Sequence, residues 1–371
     1  MSLAVTAPFC LEAVATRSRT FRYLIQPTAR QRTSLERLLG LQGELYNAAL
    51  EERRGAWSWE HRTVTYFDQT KTLTELRSVR PEVLDCGVTV CRGTLKRLDR
   101  AFAAFFRRCR TEASPGFPRF KSSVRWDSVQ WEDTSGWKLD GRSRRIALLG
   151  IGSVKLRLHR PWRGTPKAIT IKRQGQRWFV SVRCVDVPSE PRPPTGREIG
   201  VDLGVCPLMA TSDGELVEEG RFAKRAQDRL DAAQRALATK SRGSRRRQLA
   251  RERLAAHHRK IANQRRDLAH KLSRRLVNDF DLICVEDLKI AAMPTYKAEE
   301  AGRKLVIVDP RHTSQRCAAC GHTANGNRPS QAVFRCRSCG HHDHADVNAA
   351  RNILGAGRAL RAQDRAGSTA N

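Results

Sequence analysis

Cys317, Cys320, Cys336 and Cys339 spell C-x2-C-x15-C-x2-C, and each pair is followed by Gly and His (Gly321-His322 and Gly340-His341). Four thiolates at this spacing can close tetrahedrally around one Zn2+ through two facing knuckles, the glycines letting the backbone turn tightly at each. A site closed by four sulfurs has no open position for water, so the expected Zn2+ is structural. His322, His341, His342 and His344 lie near enough to substitute, but beside four cysteines they read as surface or nucleic-acid contacts. The other cysteines (Cys10, Cys86, Cys91, Cys109, Cys184, Cys206 and Cys284) are scattered, mostly inside apolar runs such as Leu282-Ile283-Cys284-Val285. They read as small buried hydrophobes in a reducing compartment.

Charge decides what kind of partner such a chain keeps. Its 371 residues carry 69 Lys+Arg against 38 Asp+Glu, a net +31 with a pI near 10.8. A surface this positive repels itself unless neutralised, and the usual neutralising polymer is nucleic acid. Hydrophobic residues at 40% allow buried cores, and the length suits two or three domains. No stretch approaches the ~18 uninterrupted apolar residues of a bilayer span. The apolar N-terminus, residues 1–15, lacks a basic n-region and is interrupted by Pro8 and Glu12, so it reads as a loose extension and not a signal peptide. No membrane partner is expected.

Periodicity organises the rest. Phe21 to Gln26 alternates as a short strand; Leu35, Leu38, Leu39, Leu45, Tyr46, Ala49 and Leu50 then follow a helical period. A second helix, Thr94 to Arg108, carries Leu95, Leu98, Ala101, Phe102 and Phe105 on one side, and the Pro/Gly-rich 113–119 ends it. Strands follow at 154–160, 168–172 and 178–185, the last two joined by a turn at Gln174-Gly175-Gln176. Their exposed positions are repeatedly Lys or Arg, which suits a nucleic-acid-facing barrel or a plain solvated face. Val187 to Gly196, with four prolines, reads as a stiff linker and the main domain boundary. Beyond it come three apolar strands, Ile199 to Gly204, Leu282 to Leu288 and Leu305 to Pro310, the last two of a kind seen in central strands. Between the first two, Arg221 to Arg275 holds 19 Lys+Arg against 4 Asp+Glu, broken into two helices at Ser241-Arg-Gly-Ser244. In the second helix Leu254, Ile261, Leu268, Leu272 and Leu276 form a packing stripe. That leaves Arg245, Arg246, Arg247, Arg251, Arg259, Lys260, Arg265 and Arg266 as candidate nucleic-acid contacts.

Carboxylates at the ends of buried strands are costly in any chain unless something cationic compensates them. Asp202 sits in Gly200-Val-Asp-Leu-Gly204, Glu286 ends Leu282 to Val285, and Asp346 opens the helix Asp346 to Leu354. Converging, they would hold hard cations such as Mg2+; separately, each is a strand-end carboxylate capping a loop. Two metals ~4 Å apart can activate water and stabilise the leaving oxygen of a phosphodiester.

Gly200-Val-Asp-Leu-Gly-Val, Val285-Glu-Asp-Leu, Val308-Asp-Pro-Arg-His-Thr-Ser-Gln-Arg-Cys and Asp343-His-Ala-Asp-Val-Asn-Ala-Ala-Arg-Asn-Ile-Leu resemble the TnpB family in content and order, as do Gly116-Phe-Pro-Arg-Phe-Lys and Asn263 to Ser273. The resemblance runs from about Thr20 to Leu354. It implies an α+β multidomain chain: a wedge (OB-like) β-barrel over 20–40 and 110–190 with a helical recognition insert at 41–109, after an extension at 1–19. A linker at 191–196 would lead to a RuvC-like, RNase H-fold nuclease domain over 197–310 and 341–371, interrupted by a zinc ribbon at 311–340. It further implies an RNA-guided DNA endonuclease of an insertion sequence, taking a guide RNA from its own element and a double-stranded target beside a short flanking motif, in the bacterial cytoplasm at the nucleoid. Asp202, Glu286 and Asp346 match the family's metal-binding acids, for two Mg2+ ions. Asp343 is given no catalytic part.

One departure stands out. Only Lys289 to Thr295 separates the Glu286 strand from Tyr296-Lys-Ala-Glu, where the family carries a much longer segment. A missing helix there should expose apolar surface and misplace Glu286. The alternatives are therefore a guided binding protein that does not cut, or an accessory transposition protein holding DNA through its zinc ribbon.

Overall fold

Alternation in the first described strand fixes the core of the N-terminal half. The computed structural model describes residues 16–85, 87–111, 115–123, 125–204, 206–218, 222–287 and 292–368. The reading of residues 1–15 as a loose extension lies outside them, as do Cys10 and Cys86. The chain divides into two units, 1–188 and 189–371.

In the first unit β1 (Thr16–Gln26) buries Phe21, Tyr23 and Ile25 on one face, starting five residues before the expected strand. Three helices follow: α1 (Ala29–Glu60), α2 (Tyr66–Val79) and α3 (Val88–Arg110). A reciprocal cap between Thr28 and Gln31 starts α1. The helix then runs unbroken through position 40, where the barrel-to-insert boundary was expected. Its predicted stripe is buried at Leu35, Leu38, Leu39, Tyr46, Ala49 and Leu50. The sheet continues with β2 (Ser128–Trp131), β3 (Trp137–Asp140), β4 (Arg145–Leu148), β5 (Gly152–Arg157), β6 (Thr165–Gln174) and β7 (Arg177–Pro188). All seven strands pair antiparallel in the order β2-β6-β7-β1-β5-β4-β3. Gly175, at φ 61°, makes the predicted turn between β6 and β7. Trp126, Trp131 and Trp178 fill the core between sheet and helices.

The second unit begins with β8 (Glu198–Leu203), β9 (Met209–Thr211) and β10 (Leu216–Val217), then the short α4 (Phe222–Arg225), α5 (Gln227–Ala238) and α6 (Arg245–Asp279). It continues through β11 (Leu282–Glu286), α7 (Ala292–Glu300), β12 (Lys304–Val308), the hairpin β13 (Val333–Arg335) and β14 (His342–His344), and α8 (Ala345–Ser368). The sheet order is β10-β9-β8-β11-β12, with β8, β11 and β12 parallel and β9 and β10 antiparallel. The β12 strand is at the edge, not in the centre as its apolar run suggested. Within that run Val306 and Val308 are buried on one face, while Ile307 on the other is exposed. On one face Ile199, Val201, Ile283 and Val285 pack against Leu276 and Val277 of α6, its capping residue Phe280, Ala298 of α7 and Ala301 just beyond it. On the other, Leu282, Cys284, Val306 and Val308 pack against Ile353 of α8.

The α8 backbone lies directly on β8. A methyl group at Gly200 would overlap the Ala350 carbonyl oxygen. Gly200→Ala should therefore cost ~1–3 kcal/mol of stability through overpacking, readable as a lower urea midpoint; an unchanged midpoint would mean that α8 yields freely.

Residues 189–196 are exposed, yet they are tied to the second unit. The Glu190 and Arg192 N–H groups donate to Glu300 and Ala301 carbonyls at 3.0 Å each. The Thr195 and Gly196 N–H groups donate to the Asp281 carboxylate at 2.7–2.9 Å. Those donations, Thr195's first, hold Asp281 below the usual carboxylate range. The buried Arg303 guanidinium reaches Asp281, Val277 and Pro193.

Lys297 fastens α7 to α6. It is buried, and its Nζ donates to the His270 carbonyl at 2.8 Å and to Ser273 Oγ at 2.6 Å. Burial pushes its pKa from 10.5 down to about 8, with Arg274 adding to the shift and Glu300 opposing it. The folded value lies below the unfolded one, so the cost of burying this charge is fully present below pH 8 and fades as pH rises toward 10.5. Relative to Lys297→Met, the parent should gain up to ~1.4 kcal/mol of stability per pH unit across that window. Denaturation of both proteins at several pH values checks this, and parallel pH profiles would remove the claim.

Candidate functional site

Parallel pairing sets the geometry of the acids. Val285 lies opposite Val201, so the next residues along, Glu286 and Asp202, leave the sheet at the same end of neighbouring strands. Asp346 comes from the first turn of α8, the helix pressed onto β8. All three line one cavity of about 290 Å3 together with Thr313 and Arg328. The short segment after Leu288 has not displaced Glu286. On β12, Ile307 is 46% exposed, beside the part of that face covered by the α6 end and α7.

The cavity is short of positive charge. Burial, then the charges of Glu286 and Asp346, push the Asp202 pKa up from 3.8 to about 6, against the pull of Arg328. Clustered carboxylate oxygens that destabilise one another are the donor set a hard divalent cation relieves. Two neighbours, neither of them singled out from sequence, hold the outer acids. Thr313 Oγ1 donates to Glu286 Oε1 at 2.5 Å, and Arg328 Nη2 donates to Asp346 Oδ1 at 2.8 Å. Thr313 stood inside a quoted motif, but Arg328 was one basic residue among 69. Asp343, given no catalytic part, pairs with Arg351.

The four cysteines converge, with Sγ atoms all within 4.8 Å of one another. Cys317 and Cys339 sulfurs are 3.7 Å apart, and Cys320 and Cys336 sulfurs 3.6 Å. Tetrahedral zinc with Zn–S bonds of ~2.3 Å spaces its sulfurs about 3.8 Å apart, so the cluster fits a zinc ion. Its two knuckles are built alike. Gly321 and Gly340, at φ 77° and 74°, donate to the Cys317 and Cys336 carbonyls, while Cys317 and Cys336 N–H groups donate to the His322 and His341 carbonyls. Backbone donation from Cys339, with other hydrogen bonds, lowers the Cys336 pKa from 9.0 to about 6, toward the thiolate a metal needs. Asn348 and Asn352 of α8 reach back to the Arg316 carbonyl, tying the cluster to the helix that carries Asp346.

Of the basic candidates, Arg245, Arg246, Arg251, Lys260, Arg265 and Arg266 are exposed on α6, and Arg259 is half-buried. Arg247 is engaged differently: its Nη1 donates to the Leu237 and Lys240 carbonyls, closing the α5–α6 turn. Among the scattered cysteines Cys91, Cys184 and Cys284 are buried as expected, but Cys109 and Cys206 are exposed. No helix among the described residues is long and apolar enough to cross a membrane.

Comparison with known proteins decides the ancestry. Residues 181–296 match a family described as "Probable transposase", OrfB_IS605, and residues 289–353 match the Cas12f1-like TNB domain. A protein of Escherichia coli K12 named "Putative RNA-guided DNA endonuclease InsQ" is 30% identical, the match covering 93% of each chain. The chain belongs to the TnpB family. A Streptomyces pristinaespiralis relative named "Putative RNA-guided DNA endonuclease" is 32% identical over 93% of this TnpB-family chain and 90% of its own. In fold, the chain resembles the protein in a structure titled as a Cas12f1-sgRNA-target DNA complex, with a TM-score of 0.56 at 14% identity, covering 91% of this chain and 99% of that one. The TnpB-family motifs quoted above thus lie on a mixed α/β fold shared with the protein of that structure.

Proposed function

We propose that this chain is an RNA-guided DNA endonuclease of an insertion sequence, hydrolysing phosphodiesters at Asp202, Glu286 and Asp346 with Mg2+. The observation that carries the reading is the meeting of these three acids, from β8, β11 and α8, in one cavity. Three antiparallel strands followed by two parallel ones, with the first strand central, support a RuvC-like, RNase H-type assignment for this unit. The printed names of the relatives support a guide RNA and a DNA target as partners.

Asp202, Glu286 and Asp346 would hold the divalent cations. When bound, these supply activation of water and stabilisation of the leaving oxygen. The chain's own contribution is placement. Thr313 fixes the Glu286 carboxylate, and Arg328 fixes that of Asp346 while bringing a cation to the rim of the cavity, where a phosphate would lie. The basic face of α6 would hold nucleic-acid backbone, while base pairing to the guide reads sequence and the protein reads a flanking motif. The four cysteines would carry one structural Zn2+.

Expression with the native flanking DNA, followed by sequencing of co-purified RNA, tests the guided reading. A discrete transcript ending in element-adjacent sequence, and Mg2+-dependent cutting of a matching duplex, are expected. A discrete transcript without cutting would leave a guided binding protein. DNA binding with no transcript would leave an accessory transposition protein.

A further inference from the structure

The first unit holds a groove that the nuclease reading does not use. It lies between the C-terminal halves of α1 and α3, has a volume of about 740 Å3, and is lined by Trp57, Phe102, Phe105, Phe106 and Phe117 among others. The rings are arranged as a cluster: Phe117 meets Phe105 edge-on at 5.2 Å and Phe102 at 5.6 Å, and Phe105 lies 5.2 Å from Phe106. This is not core. Trp57 is 58% exposed, Phe106 54% and Phe117 45%. Arg54 and Arg62 stand on the groove's edge, and the Arg54 guanidinium lies 5.3 Å over the exposed Phe120 ring. Exposed Arg107 and Arg110 lie in the last turn of α3, beyond the groove's own lining.

We propose that this groove binds unpaired bases of a single-stranded nucleic acid, the aromatic rings stacking on base faces while the bordering arginines neutralise phosphates. Charge selects this occupant. A second copy of the chain would bring the same arginines and a like net charge of +31, whereas a polynucleotide brings complementary charge. Ring exposure selects single strands. A duplex presents base edges and phosphates to a protein, and only unpaired bases offer faces to an aromatic side chain. The inference rests on the nucleic-acid reading of the chain, not on cleavage.

The test uses full-length protein freed of nucleic acid. Fluorescence anisotropy is measured with a labelled octamer of uridine, an octamer of thymidine and a 20-base-pair duplex. Phe106→Ala combined with Phe117→Ala should weaken at least one single-strand affinity about tenfold or more and leave duplex affinity within about twofold, the latter confirming an intact fold. Tyr at both positions should restore binding. Preference for the uridine octamer assigns the groove to guide RNA, and preference for thymidine assigns it to a DNA strand. A single-strand loss below about twofold, or tyrosine variants as weak as the alanine ones, overturns the proposal. So does a concentration-dependent dimer, seen by light scattering in the parent and lost in the alanine variant. If the parent binds duplex but no single strand, only the groove fails. If it binds neither, the nucleic-acid reading of the whole chain fails with it.

Discussion

Asp202→Ala should lower Mg2+-dependent DNA cutting by roughly 10^4-fold or more, a loss of the size seen when one member of a catalytic unit is removed, while guide-RNA binding stays within about twofold. The carboxylate sits in the strand between β9 and β11, in a cavity shared with Glu286 and Asp346. On the proposed mechanism, losing it takes away a metal-holding group that neither remaining acid can replace from its own element. The isosteric Asp202→Asn separates this role from a structural one. In the protein without divalent cations, Asp202 is destabilised by burial and by its two acidic neighbours. Removing its charge should leave the melting temperature unchanged or higher, even though cutting is lost. An inactive variant that also melts well below the parent would point to a packing role, and equal cutting by variant and parent would remove Asp202 from the mechanism.

The second large effect belongs to the cysteine cluster. Cys317→Ser should lower zinc affinity by more than about 100-fold, since changing groups merely behind the ligands costs 10–100-fold, and should leave purified protein with well under one zinc per chain. Cutting should fall with it, although no acid has been touched. The Cys317 to Cys339 segment carries Arg328, which holds Asp346, and the carbonyl of Arg316 just before it accepts from Asn348 and Asn352 of α8. Release of the metal frees both ties. Zinc content is read by elemental analysis alongside cleavage. Full zinc in the variant would refute the ligand assignment, and full cutting by zinc-free protein would refute the coupling.

How far the sequence revealed this depends on the distance over which each signal acts. Local periodicity exposed the stripe of α1, the β6–β7 turn and the α5–α6 break, because 3.6- and 2-residue repeats are properties of a single element. The four cysteines were legible for a similar reason, since each knuckle closes within five residues through its own glycine. The acids could be named one by one, but their meeting depends on the β8–β11 register and on α8 lying against Gly200. Motif resemblance carried that inference; composition and spacing left capped loop ends equally open. The edge position of β12 was hidden because its run Leu305-Val-Ile-Val is as apolar as that of the central β11, although Ile307 is exposed. Arg328 was invisible for a plainer reason, as nothing marks one arginine in so basic a chain. The stretch from Val187 to Gly196 read as a stiff linker, but Val187 and Pro188 end β7 and the rest is bonded to Asp281 and Arg303, ties that leave no local trace. The short segment after Leu288 suggested a displaced Glu286, but β11 pairs with β8 as far as Val285 and with β12 as far as Glu286, which lies opposite Val308.

Asp346 arrives on the last described helix, 144 residues after Asp202, and is seated by a helix that can dock only once Gly200 has formed its strand. Translation at ~5–20 residues per second separates the two acids by roughly 7–30 s. On the proposed reading, the nascent chain would display the arginines of α6 that hold polynucleotide within that interval. The proposed hydrolytic trio would still be incomplete. Capacity to grip would then precede capacity to cut, by an order of assembly written into the strand connections.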